Sequence, residues 1–122
     1  MRIEIIDGIK YRLDEEKLTA EVCQKMGYKG DIIIPETVVF NEVTYRVTSI
    51  GYEAFKGCSS LTSIVIPNSV TSIADGAFDA CELLESITIP ASVTRIEGSL
   101  WKCDSLTEII VEEGNTVYDS RE

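Results

Sequence analysis

Apolar residues recur along this chain at a spacing far longer than any helix or strand period. Val47 to Ser69 reads VTSIGYEAFKGCSSLTSIVIPNS, and Val70 to Ser92 reads VTSIADGAFDACELLESITIPAS. Thirteen of the 23 paired positions are identical, where unrelated sequences would match at about one or two. A third copy starts at Val93 and reads VTRIEGSLWKCDSLTEIIVEEGN, so successive copies begin 23 residues apart (70 − 47 and 93 − 70). A unit this short cannot enclose its own apolar side, and its Val, Ile, Leu and Phe positions need like neighbours above and below. The units are therefore expected to stack into a solenoid, with parallel strands about 4.8 Å apart. The predicted core ladders are Val47/Val70/Val93, Ile50/Ile73/Ile96, Leu61/Leu84/Leu106, Ile64/Ile87/Ile109 and Ile66/Ile89/Val111.

Within each unit, Leu-x-x-Ile-x-Ile predicts a strand whose alternate residues face inward. Pro67 and Pro90 end it, because proline cannot donate to a ladder. Val-Thr-Ser-Ile is a second short extended stretch. Ala-Phe-x-x-Cys follows, and Phe and Cys three apart suit one helical turn packing inward. The third unit is one residue short between Ile96 and Leu106. Keeping the Phe-to-Cys spacing puts Leu100 at the Phe55/Phe78 position and Trp101 outside; the other gap placement buries Trp101.

The N-terminal segment breaks the period. Ile3–Ile6, Asp7-Gly8 and Ile9–Leu13 predict a hairpin with a favourable two-residue turn. Leu18–Gln24 suits a further strand. Asp31-Ile32-Ile33-Ile34-Pro35 resembles the Ile-x-Ile-Pro of a repeat, yet Ile66 follows Ile34 by 32 residues. A hairpin of Val38–Phe40 against Val43–Val47 around Asn41-Glu42 accounts for the excess. The resulting division is a β capping segment over 1–46, three repeats (47–69, 70–92, 93–115) and a tail, 116–122. Either that tail folds over the last coil, or the chain is a fragment of a longer array; the second is favoured, since the last coil otherwise shows an apolar edge to water.

The chain has 122 residues, a hydrophobic fraction of 44% and a charged fraction of 26%, ordinary for one globular domain. No apolar run approaches the length of a membrane span. Met1–Lys10 carries Glu4 and Asp7 where a signal peptide needs its apolar stretch, so no export signal is expected. The net charge of −10, with only eleven scattered basic residues, argues against nucleic acid as a partner. Histidine is absent, which excludes Ser-His-Asp and Cys-His nucleophile systems and His-ligated zinc.

The combination Ile-x-Ile-Pro-x-x-Val-Thr-x-Ile followed by Ala-Phe-x-x-Cys-x-x-Leu resembles the BspA-like (Bacteroides surface protein A-like) leucine-rich repeat. Residues 47–111 carry the match. Asp31–Val47 looks like the lead-in to a first full repeat, and Glu112–Glu122 is similar to a connection into further repeats. Leu100-Trp101 in place of Ala-Phe and Glu112 in place of the strand-ending proline depart from it. The resemblance implies a right-handed leucine-rich-repeat solenoid without enzymatic activity, mostly β with one short helical turn per coil and an N-terminal β-hairpin cap. It also implies a cell-surface or secreted location and adhesion to proteins, with no shared catalytic residues and no cofactor.

Candidate chemistry changes this picture little. Cys58, Cys81 and Cys103 hold equivalent inward positions and predict a ladder of buried thiols. A disulfide between adjacent coils is geometrically conceivable and would leave one of the three unpaired. Cys23 lies outside the ladder, and no Cys-x-x-Cys pair suggests a metal. Carboxylates such as Asp75, Asp79, Glu82, Glu85 and Glu97 are plentiful, but neither a calcium-loop pattern nor a cleft for a catalytic pair is expected. The remaining candidate is the outward side of the strand ladder, Ser63/Ser86/Glu108 and Val65/Thr88/Ile110, flanked by Thr62/Glu85/Thr107. The expectation is a noncatalytic module that binds a protein through this face. The alternatives are spacer coils within a larger repeat protein and, last, an enzyme with a deep pocket around two carboxylates.

Overall fold

A computed structural model of the chain describes residues 1–25, 27–96 and 103–111. Among them eleven strands follow in order: β1 (Arg2–Ile6), β2 (Ile9–Asp14), β3 (Thr19–Val22), β4 (Lys29–Ile33), β5 (Thr37–Phe40), β6 (Val43–Ile50), β7 (Ser60–Val65), β8 (Ser72–Ile73), β9 (Ser86–Ile89), β10 (Arg95–Ile96) and β11 (Glu108–Val111). They form two sheets. One runs β1-β2-β3-β6-β8-β10, with β5 also on β6, and the other runs β11-β9-β7-β4.

The expected stacking is present. β7 and β9 pair in parallel with Ile64 opposite Ile87, and β9 and β11 continue with Ile87 opposite Ile109. On the other sheet Ile50, Ile73 and Ile96 are successive partners across β6, β8 and β10. Val47, Val70 and Val93 are fully buried, as are Leu61 and Leu84, while Leu106 and Ile109 pack partly buried against the same core. Each rung is a like residue at the same height, so shape matching is inherited from one coil to the next.

The N-terminal hairpin is also as expected. β1 and β2 are antiparallel around Asp7 (φ 50) and Gly8 (φ 84), the left-handed pair a tight hairpin turn needs. β2 then pairs antiparallel with β3. β3 itself runs parallel to β6, with Ala20 opposite Val47 and Val22 opposite Ile50. β4 runs parallel to β7, with Ile32 opposite Ile64. Between them the Tyr28 ring lies 4.7 Å from the Phe55 ring, which stacks at 5.4 Å on Phe78. β3, Tyr28 and β4 thus belong to a leading coil of the same plan. Its long interval to the next coil comes from the antiparallel β5–β6 hairpin, turned through Asn41 (φ 50) and Glu42 (φ 67).

One expectation fails. The Ala-Phe-x-x-Cys segment is not a helical turn; no helix occurs among the described residues. Ala54, Lys56 and Cys58 donate their N–H groups three residues back, to Gly51, Glu53 and Phe55. The intervening Glu53, Phe55 and Gly57 instead donate along the stack, to Asp75, Ala77 and Asp79 of the next coil at 3.1, 2.7 and 2.9 Å. A helix would direct every N–H to its own chain four residues back. Here alternate amides are needed between coils, and Glu53 (φ 52) and Gly57 (φ 71) enter the left-handed region to turn them outward. Spacing of three places Phe and Cys on the core side in a run of tight turns as well as in a helix. The positions of Leu100, Trp101 and the tail lie outside the described residues.

Candidate functional site

The parallel sheet β4–β7–β9–β11 exposes one side of every strand. Alternation along a strand sends Ile64, Ile87 and Ile109 inward and the candidate residues outward. The register aligns Ser63 with Ser86 and Ser86 with Glu108, and Val65 with Thr88 and Thr88 with Ile110. All six predicted residues therefore share one face. Val65 is 39% exposed and Ile110 41%, while Ser63, Ser86 and Thr88 are half-buried and Glu108 is exposed.

β4 adds a fourth rung that the sequence reading left out. Asp31 stands opposite Ser63 and Ile33 opposite Val65. Ile33 is 73% exposed, which makes it the most prominent apolar residue on the face. The rows become Asp31–Ser63–Ser86–Glu108 and Ile33–Val65–Thr88–Ile110. The signal was present in Asp31-Ile32-Ile33-Ile34-Pro35, but its irregular interval kept it from being aligned with the later strands.

The hydroxyl row organises the acidic end. Thr62 Oγ1 and Ser63 Oγ donate to Asp31 Oδ1 at 2.9 and 2.7 Å. These two bonds, Ser63 first, hold the Asp31 carboxyl below the usual aspartate range. Along the flank, Glu85 N–H donates to Thr62 O and Thr107 N–H to Glu85 O, at 2.8 and 3.0 Å. Backbone bonds thus fix the spacing of the side chains on the face.

Beside the first rung, two open hollows of about 400 and 460 Å³ lie between the β1–β2 turn and β4, and both are bordered by Asp7, Ile9 and Ile33. Asp7 and Asp31 border the first of them, both exposed to water. Among the described residues no group of three or more His, Cys, Asp or Glu is placed to hold a metal ion. Nor is any helix long and apolar enough to cross a membrane among them.

The family model for the BspA type leucine rich repeat region matches six copies within residues 34–121. The chain belongs to this family. Among solved structures, this BspA-type chain is similar to a leucine-rich repeat protein from Bacteroides ovatus at 35% identity and a TM-score of 0.80, over 92% of this chain and 32% of that one. It is similar in fold to a leucine rich cell surface protein from Faecalibacterium prausnitzii, at 20% identity and TM-score 0.65, over 93% and 44% of the two chains. The pneumococcal vaccine antigen PcpA shares the fold at 18% identity and TM-score 0.64, over 95% and 39%. The chain spans about a third of the length of the Bacteroides ovatus structure. Among curated proteins nothing matches it.

Proposed function

We propose that this chain is a noncatalytic protein-binding module of a bacterial surface or secreted protein, docking its partner on the outward face of β4, β7, β9 and β11. The observation that carries the proposal is the row Ile33–Val65–Thr88–Ile110, partly apolar and open to solvent across four adjacent strands. Protein interfaces combine such an apolar centre with a polar rim. The Asp31–Ser63–Ser86–Glu108 row supplies that rim on one side. The coils are taken to wind right-handed, as nearly all parallel crossovers do. The family and a cell-surface protein of the same fold support the surface location.

The experiment is a pull-down from host extracellular proteins with the isolated chain, a Val65→Lys/Thr88→Lys variant and a Thr71→Lys/Thr94→Lys control on the other sheet. The wild type and the control are expected to retain the same protein, and the face variant to lose at least about tenfold in affinity. Retention of nothing, or equal retention by all three, rejects the proposal.

A second reading, spacer coils that hold a distal domain away from a surface, is favoured by the short share of the Bacteroides ovatus structure that this chain spans. Replacing these coils with unrelated ones separates the two, because a spacer tolerates the exchange and a binding face does not.

A further inference from the structure

The cysteine ladder contains a pair with unequal roles. Cys81 and Cys103 hold the same place in successive coils, each accepting at its carbonyl from a leucine three residues on (Leu84 and Leu106, 3.1 and 3.2 Å). Cys81 Sγ–H donates to Phe55 O and Cys103 Sγ–H to Phe78 O, both at 3.0 Å. The two coils are clamped in parallel register by β9 and β11. Neighbouring coils about 4.8 Å apart fall inside the Cα separation of about 4.4–6.8 Å that a disulfide spans. All four cysteines are free thiols here.

We propose that Cys103 and Cys81 form a redox-active pair, which a low-molecular-mass disulfide converts into a covalent link between adjacent coils. Cys103 is half-buried, whereas Cys81 is fully buried and Cys58 nearly so. The proximity of the two thiols lowers the proton affinity of Cys103 and raises that of Cys81. Burial pushes the Cys58 thiol up and leaves it a poor nucleophile.

The Cys103 thiolate attacks one sulfur of the reagent RSSR, forming Cys103–S–S–R and expelling RS⁻. The Cys81 sulfur then attacks Cys103 Sγ, the bond to R breaks, and a second RS⁻ leaves. The Cys81 proton ends on a departing RS⁻. Two cysteines are oxidised by two electrons and one RSSR is reduced to two thiols. The S–H bonds to Phe55 O and Phe78 O are given up, and a loop between residues 81 and 103 is closed in the unfolded chain.

The experiment treats the reduced full chain with glutathione disulfide and maps the product by non-reducing mass spectrometry, alongside Cys58→Ser and Cys103→Ser variants. The wild type and Cys58→Ser are expected to gain one Cys81–Cys103 link and a melting midpoint several degrees higher, reversed by dithiothreitol. Cys103→Ser, with folding checked by circular dichroism, is expected to gain no link. Brief alkylation of the reduced chain should label Cys103 ahead of Cys58 and Cys81. A Cys58–Cys81 link, a lasting glutathione adduct on Cys103, earlier labelling of Cys58, or no reaction of the folded chain overturns the proposal.

Discussion

Asp31 shows how a single exposed side chain can be set by its neighbours. Two hydroxyls hold its carboxyl below the ordinary aspartate value of 3.8. A carboxyl with a depressed folded value adds stability above the unfolded value and loses it as pH falls through the folded one. The melting midpoint of the wild type should therefore fall more steeply below about pH 4 than that of Asp31→Asn, so any advantage of the wild type at pH 7 shrinks in acid. Parallel thermal melts across this range check it; a constant difference between the two would show that the bonds from Thr62 and Ser63 do not favour the ionised form. Ser69 presents the opposite case. Its hydroxyl is buried without a hydrogen-bond partner among the described residues, whereas Ser92, one coil on, donates to Val70 O at 2.7 Å. An unmet buried hydroxyl costs about 1–3 kcal/mol, so Ser69→Ala should be neutral or stabilise by up to about 1 kcal/mol in a denaturant titration.

At the scale of elements, the repeat differs where a coil meets an unusual neighbour. The second copy has Ala74 where the first has Gly51. A Cβ on Gly51 would sit 2.8 Å from Glu21 Oε2 and 2.9 Å from Val22 O, because β3 closes in on it. The Gly51 amide also donates to Val22 O at 2.8 Å. Gly51→Ala should cost about 1–3 kcal/mol through overpacking, measured as a lower denaturation midpoint, although the same residue is native one coil later. The side chain of Glu21 can move, but the Val22 carbonyl cannot without loosening β3. Legibility in the sequence followed the same divide. The 23-residue period and the Asp7-Gly8 and Asn41-Glu42 turns were readable because each is written in local residue types. The tight-turn backbone of Ala-Phe-x-x-Cys was not, since it depends on amides committed to the next coil. The leading coil was half hidden, because Tyr28 replaces the expected phenylalanine and the β5–β6 hairpin interrupts the count.

For the molecule as a whole, the outward face proposed for docking was legible as far as three strands, and its fourth, with Asp31 and Ile33, was missed for the same reason. The surplus of acid shapes the remaining surface. The ion pairs of Arg2 with Glu4 and of Lys56 with Glu53 are both partly exposed, so they add little to stability. Cohesion rests on the apolar ladders and on amides running from coil to coil. Those amides, at Glu53, Phe55 and Gly57 as at Thr71 and Thr94, belong to the backbone and are indifferent to which side chains flank them. A copied block of 23 residues could thus be seated on its parent with all of these bonds remade, extending the array by one step of about 4.8 Å. A residue inserted within a strand has no such option, whereas the turns absorb a change of length, as the shortened third unit does while keeping Ile87 opposite Ile109. Growth by whole-unit duplication is the mode of change this architecture permits most freely, and each new copy brings a fresh pair of outward positions on which recognition can diverge.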